Sequence, residues 1–220
     1  MKPNNRASCV GTDIGYRSHS FLSSLTKPST YPVAHTAVVT WSLMISTMEI
    51  DPSEYAAFYA NYISYASEDT AREALSNRTK ELMALLQAYK TNEEAANYSY
   101  AEGKWSIKQL VLHLIDSEMN FVIRTLWALR GESSELPGFD HNKWVEENPD
   151  ENITLEATLA WFENQSASTL ALFQTVNENQ WDNRVTANGV TFTVRSLAAI
   201  ICGHTRHHAK IISERYIPYL

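Results

Sequence analysis

From Pro52 onward the apolar positions recur at helical spacing, and turn residues are scarce. Between Pro52 and Pro137 there is no proline, and glycine occurs only at positions 103 and 131; a strand-rich chain needs many more turn residues. The segment Pro52–Ser64, with Tyr55, Tyr59 and Tyr62, predicts a short extra helix. Leu75, Leu82, Leu85 and Leu86 share one side of a helix predicted over about 68–89. Ser106 and Gln109 have the spacing of a capping box that opens a helix to about Arg130, stopped by Gly131. A loop with Pro137, Gly138 and Pro149 follows, and Thr154 caps a third long helix to about Val176. Asn188-Gly189, flanked by Val185 and Val190-Thr-Phe, predicts a tight hairpin. The last helix runs from about Thr193 to Tyr216 and stops before Pro218. Four long amphipathic helices give an all-α fold, a four-helix bundle with a small hairpin before its last helix.

The chain before Met48 reads differently. Residues 1–47 hold 14 Ser or Thr and show neither helical nor alternating periodicity. Four basic residues and one acid, Asp13, give them +3; with the whole chain at -7, Met48–Leu220 carries -10. The expectation is a disordered or upstream extension, with Met48 the preferred start and residues 48–220 the folded domain. The acidic balance, with no basic stripe, excludes nucleic acid as a partner class. No apolar run reaches the ~18 residues of a membrane span. Two cysteines, Cys9 and Cys202, cannot form a disulfide framework and suit a reducing, cytoplasmic setting.

The candidate chemistry lies on the last helix. Leu197, Ile201, His204, His208 and Ile211 follow the i, i+4, i+7, i+11, i+14 spacing of a core-facing stripe, and two of the five are histidines. Two imidazoles stacked in an apolar seam are costly unless their nitrogens have partners. A divalent metal supplies both at once, because His at i and i+4 can aim at one ion. The same pair also arises by chance, each ring then bonded to a glutamate or a backbone carbonyl. His113, on the second long helix, completes a three-histidine set. Such a set leaves one coordination position open for water or substrate, the arrangement of a catalytic site. Imidazole suits Zn, Ni, Fe, Co or Cu without choosing among them.

Other residues carry weaker signals. Asp116, one turn after His113, is the better candidate for a general base or an acceptor behind a ligand; Glu118 reads equally as a solvated acidic edge. His207 falls at the rim, His141 in a loop, and Cys202 reads as a small buried hydrophobe. Trp105 is placed as a staple before Ser106, and Trp127 and Trp161 are assigned to core seams. Phe139, Asp140 and Trp144 either overhang the site or pack on the bundle end. There is no phosphate-binding loop, nucleophile elbow or CxxC.

Four segments together resemble the DinB-like superfamily. They are Gly103-Lys-Trp-Ser-Ile-Lys-Gln-Leu-Val-Leu-His113-Leu-Ile-Asp116, Leu136-Pro-Gly-Phe-Asp140, Thr186-Ala-Asn-Gly189 and Gly203-His-Thr-Arg-His-His208. The resemblance spans about Pro52 to Tyr216. It implies an up-down-down-up bundle, often a homodimer, with a divalent ion (Zn, Ni, Fe or Mn) on three histidines, here His113, His204 and His208. It also implies thiol S-transferase chemistry on small thiols and electrophiles, or metal-dependent hydrolysis. Thiol transfer is the leading expectation and hydrolysis the first alternative. A non-catalytic bundle, either a metal or small-ligand binder or a stress-linked dimer module, is the third reading, which a site with no room beside the metal would favour.

Overall fold

The computed structural model describes residues 50–68, 70–148 and 152–220. The extension expected over 1–47, Asp69 and Pro149 lie outside the described residues.

Among the described residues, seven α-helices and one hairpin make up the fold: α1 Ala60–Ile63, α2 Ala71–Leu86, α3 Glu93–Asn97, α4 Ile107–Arg130, α5 His141–Glu147, α6 Leu155–Gln174, then β1 Arg184–Ala187, β2 Val190–Thr193 and α7 Val194–Ile211. The long helices start where side-chain caps are available. Thr70 Oγ1 accepts from Glu73 N, Ser106 and Gln109 close a reciprocal capping box, and Thr154 Oγ1 accepts from Ala157 N. Gly131 ends α4 at φ +71°, in the left-handed region that glycine enters without cost.

Two apolar clusters reveal the chain direction. One joins Ala71 and Leu75 at the start of α2 and Val194 and Leu197 at the start of α7 to Leu129 and Phe173, near the ends of α4 and α6. The other joins Leu82 and Leu86 to Leu110, Val111, Leu155 and Leu159. Helices α2 and α7 therefore run one way and α4 and α6 the other, an up-down-down-up bundle.

A buried polar layer lies between the clusters. Arg78 on α2 is fully buried and binds all three of the other long helices. Its Nη1 donates to Glu118 Oε2 and Thr205 Oγ1 (both 2.8 Å), and its Nη2 donates to Glu118 Oε1 (2.8 Å) and Ser166 Oγ (3.4 Å). Glu118 is only 3% exposed, so it is not a solvated edge; the i+40 partner that buries it was invisible to helix periodicity. Trp161 also departs from expectation: it is 41% exposed on α6, outside the core seams.

Three local differences matter for the site. The N-terminal segment is not one helix but two 3-10 turns followed by the single turn α1. His141 is not in a loop; it opens α5, which Asp140 caps by accepting from Asn142 N and Lys143 N. Beyond Ile211 the last helix widens into a π turn, Ile212–Tyr216, and Tyr216 OH donates to the Trp105 carbonyl (2.7 Å).

The hairpin pairs Arg184 with Thr193 through Ala187 with Val190, and turns at Asn188 (φ +52°) and Gly189 (φ +70°). Leu136 docks on it: Leu136 N donates to the Thr186 carbonyl and Asn188 N to the Leu136 carbonyl, both at 3.0 Å. This docking carries Gly138, Phe139 and His141 over the bundle. No described helix is long and apolar enough to cross a membrane.

Candidate metal centre

Along α4, His113, Ser117, Phe121 and Arg124 recur at i, i+4, i+8 and i+11, one face of a helix. Along α7, His204 and His208 recur at i and i+4. The two faces meet, and all six side chains line one cavity of about 210 Å³.

The three histidines converge at their Nε2 atoms. His204 Nε2 lies 3.1 Å from His113 Nε2 and 3.1 Å from His208 Nε2, and the three side chains offer ligand atoms within 4.8 Å of one another. All three are buried, at 6%, 6% and 8% exposure. Burial is the main cause holding each imidazole neutral. It drops His113 to about 4, with a smaller push from His141, and takes His204 and His208 well below the usual histidine range. Neutral imidazole is the form that binds a metal.

Two of the three nitrogen separations, those from His204, match what a single ion requires. A tetrahedral centre with bonds of about 2.05 Å sets its ligand atoms roughly 3.3 Å apart. Without an ion, three proton-poor nitrogens face one another in a cavity that strips them of water, which is unfavourable. On its other side, His113 Nδ1 stands 3.5 Å from Ser117 Oγ, and His208 Nδ1 is buried with no hydrogen-bond partner among the described residues. The donor set fits a divalent ion with an open position toward the cavity.

The walls around that position are aromatic. Trp105 lies 4.8 Å from His113, Tyr62 5.1 Å from His204 and Phe121 6.2 Å from His204, all between ring centroids. His141 stands 5.8 Å from His113, and Phe139 shares the rim, so the loop after α4 does overhang the site. Trp144 packs on Phe139 at 4.8 Å. His207 is half-buried, its ring 5.2 Å from that of Tyr62, and it is not among the cavity-lining residues.

Asp116 is half-buried, which raises its carboxyl, and it is not among the cavity-lining residues. Cys202 is fully buried, its thiol pushed up to about 12 by burial, so it behaves as a small hydrophobe.

Sequence reasoning missed Tyr62, Phe121 and Arg124 as wall residues and gave Trp105 only a stapling role. The spacing of 113, 117, 121 and 124 was available as a signal; the approach of Tyr62 from α1 was not.

The family model of the DinB superfamily matches residues 68–212. The chain belongs to the DinB superfamily. Among similar proteins, one of Oceanobacillus iheyensis named "putative metal-dependent hydrolase" is 33% identical over 138 residues, 62% of this chain and 76% of that protein. One of Geobacillus thermodenitrificans with the same name is 27% identical over 127 residues, covering 56% and 71%. Among solved structures, YfiT of Bacillus subtilis, a four-helix bundle of unusual topology, matches with a TM-score of 0.58 at 22% identity, over 67% of this chain and 85% of YfiT. The mycothiol-dependent maleylpyruvate isomerase matches at a TM-score of 0.50 and 19% identity, over 69% and 59%. These two likenesses concern the fold.

Proposed function

We propose that this DinB protein is a divalent-metal-dependent enzyme that joins a small thiol to an electrophilic carbon, with His113, His204 and His208 holding the ion. The observation that carries the reading is the convergence of the three Nε2 atoms on a cavity with room beside them, which a closed structural site lacks. When bound, a divalent ion at such a site lowers the pKa of the thiol or water placed at its open position.

The chain's own residues favour a thiol. No carboxylate lines the cavity among the described residues, so no acidic general base is at hand to assist an attacking water. A metal-activated thiol needs no such base, and Trp105, Tyr62 and Phe121 offer a polarisable, water-poor wall for sulfur and an apolar electrophile. Hydrolysis is the second reading. It is supported by the names of the similar proteins and by His141, a titratable group at the cavity rim.

The test is metal analysis of the purified protein and its His113→Ala, His204→Ala and His208→Ala variants, followed by two assays on the Zn-, Ni- and Mn-loaded forms. Bacillithiol, mycothiol and glutathione are offered with 1-chloro-2,4-dinitrobenzene, and p-nitrophenyl acetate is offered alone. About one ion per chain, lost in the variants together with thiol conjugation, is the expected result. Ester hydrolysis without conjugation would transfer the assignment to the second reading. Absence of metal under every loading condition would remove both.

A further inference from the structure

The cavity holds a second chemical feature, away from the histidines. Arg124 lines it and is 5% exposed. Its guanidinium packs against two rings, 5.4 Å from the centroid of Phe121 and 5.2 Å from that of Phe192. Three other arginines with little exposure each pair with carboxylates: Arg78 with Glu118, Arg195 with Glu54 and Asp182, Arg206 with Glu68 and Glu81. Arg124 pairs with none among the described residues. The rings offer it cation–π contact, but no carboxylate among the described residues meets its N–H fork.

A buried cation is stable only when an opposite charge or a set of acceptors meets it. The open space beside Arg124 is the cavity that it lines. We propose that Arg124 is the anion-binding residue of this pocket, and that the small molecule converted there carries a carboxylate. The planar fork matches a carboxylate with two parallel hydrogen bonds, a geometry that lysine cannot offer. The cavity is smaller than a usual drug-sized site and, among the described residues, presents one unpaired cation, which suits a compact monoanion.

The placement connects the two features. Phe121 stands between them, its ring 5.4 Å from the guanidinium carbon and 6.2 Å from the His204 ring. An acid held by Arg124 and lying along Phe121 presents atoms a few bonds from its carboxylate to the three histidines. Arg124 is thus a substrate-positioning residue whose charge selects acids over their neutral analogues. The inference rests on the proposed enzymatic reading for its catalytic meaning; anion binding itself does not require the metal.

The experiment measures binding of benzoate, its neutral analogue benzamide, and phenylphosphonate to the full chain by calorimetry, in chelator-treated and zinc-loaded forms. Wild-type protein is expected to prefer benzoate over benzamide by about tenfold or more, the effect of one charge-assisted bidentate contact. Arg124→Gln abolishes that preference and Arg124→Lys keeps part of it, in both metal states. Tighter binding of phenylphosphonate than benzoate would overturn the carboxylate assignment. Equal binding of benzoate and benzamide by the wild type would overturn the proposal without reference to any variant, so a misfolded Arg124→Gln cannot protect it. Benzoate binding that needs zinc and ignores Arg124→Gln would also overturn it, because the ion would then be the anchor. If the protein takes up no zinc, the proposed function fails, while the chelator-treated comparison still decides the role of Arg124.

Discussion

Gly203 on α7 packs directly beneath the Tyr62 carbonyl of α1, so closely that a Cβ at 203 would overlap the carbonyl oxygen and carbon. The Tyr62 ring then leans on His204, the next residue of α7, at 5.1 Å. The missing methyl group at Gly203 therefore lets the aromatic wall approach the candidate metal ligand His204. Arg206 holds the same segment by donating to the Tyr65 carbonyl (2.7 Å) and pairing with Glu68.

Gly203→Ala should destabilise the protein even though alanine is the better helix former by about 1 kcal/mol. The displaced group is backbone and cannot rotate away, so an overpacking cost of roughly 2–3 kcal/mol outweighs the gain. Denaturant unfolding checks the sign. A variant as stable as the wild type would mean that α1 can lift off α7 freely.

Glu118→Gln should cost about 3–5 kcal/mol, because it leaves the Arg78 charge buried without a counter-ion. A double variant, Arg78→Met with Glu118→Leu, should recover most of that loss, since paired removal leaves no orphan charge. If both variants melt together, the four-helix clasp around Arg78 contributes less than its geometry implies.

The metal-free protein should lose stability as pH falls below neutrality. The folded His113 titrates at about 4 and an unfolded histidine near 6.5. Between these values the unfolded chain binds the proton and the folded chain does not, so stability drops with falling pH across that window and levels off below it. The full effect for His113 is roughly 3 kcal/mol. His204 and His208, lowered by burial, act in the same direction. Comparison with His113→Gln isolates the contribution: the wild type should weaken relative to the variant between pH 6.5 and 4. A constant difference would mean that His113 is protonated when folded.

Trp105, 4.8 Å from His113, should report metal entry. Adding Ni²⁺ should quench part of the tryptophan emission, and Trp105→Phe should remove the largest share of that quench while leaving nickel uptake intact. An unchanged quench in the variant would place Trp105 away from the site.

Much of the bundle was legible before any coordinates. Ser106 with Gln109, Thr154, and Asn188-Gly189 are local signals, because a cap or a tight turn is satisfied by residues within a few positions of one another. The His204 and His208 stripe was legible for the same reason: a helix turns 100° per residue regardless of its surroundings. Glu118 was left between two readings and Trp161 was misread, because both sit on helices whose exposed and buried faces depend on neighbours far along the chain. His141 was misread for a smaller reason, since a seven-residue helix leaves little periodicity to detect.

The sequence by itself determined the four long helices, their caps, the hairpin and the identity of three histidines able to share an ion. Only the tertiary structure decided what surrounds them. It brought His113 within 3.1 Å of His204, set Arg78 against Glu118, and left Arg124 lining a cavity that has no acid among the described residues. The physical reason is the range of the forces involved. Caps, turns and amphipathic faces are settled within one or two turns of the chain, whereas a buried charge or a shared ligand finds its partner only when helices separated by 40 or 91 positions pack together.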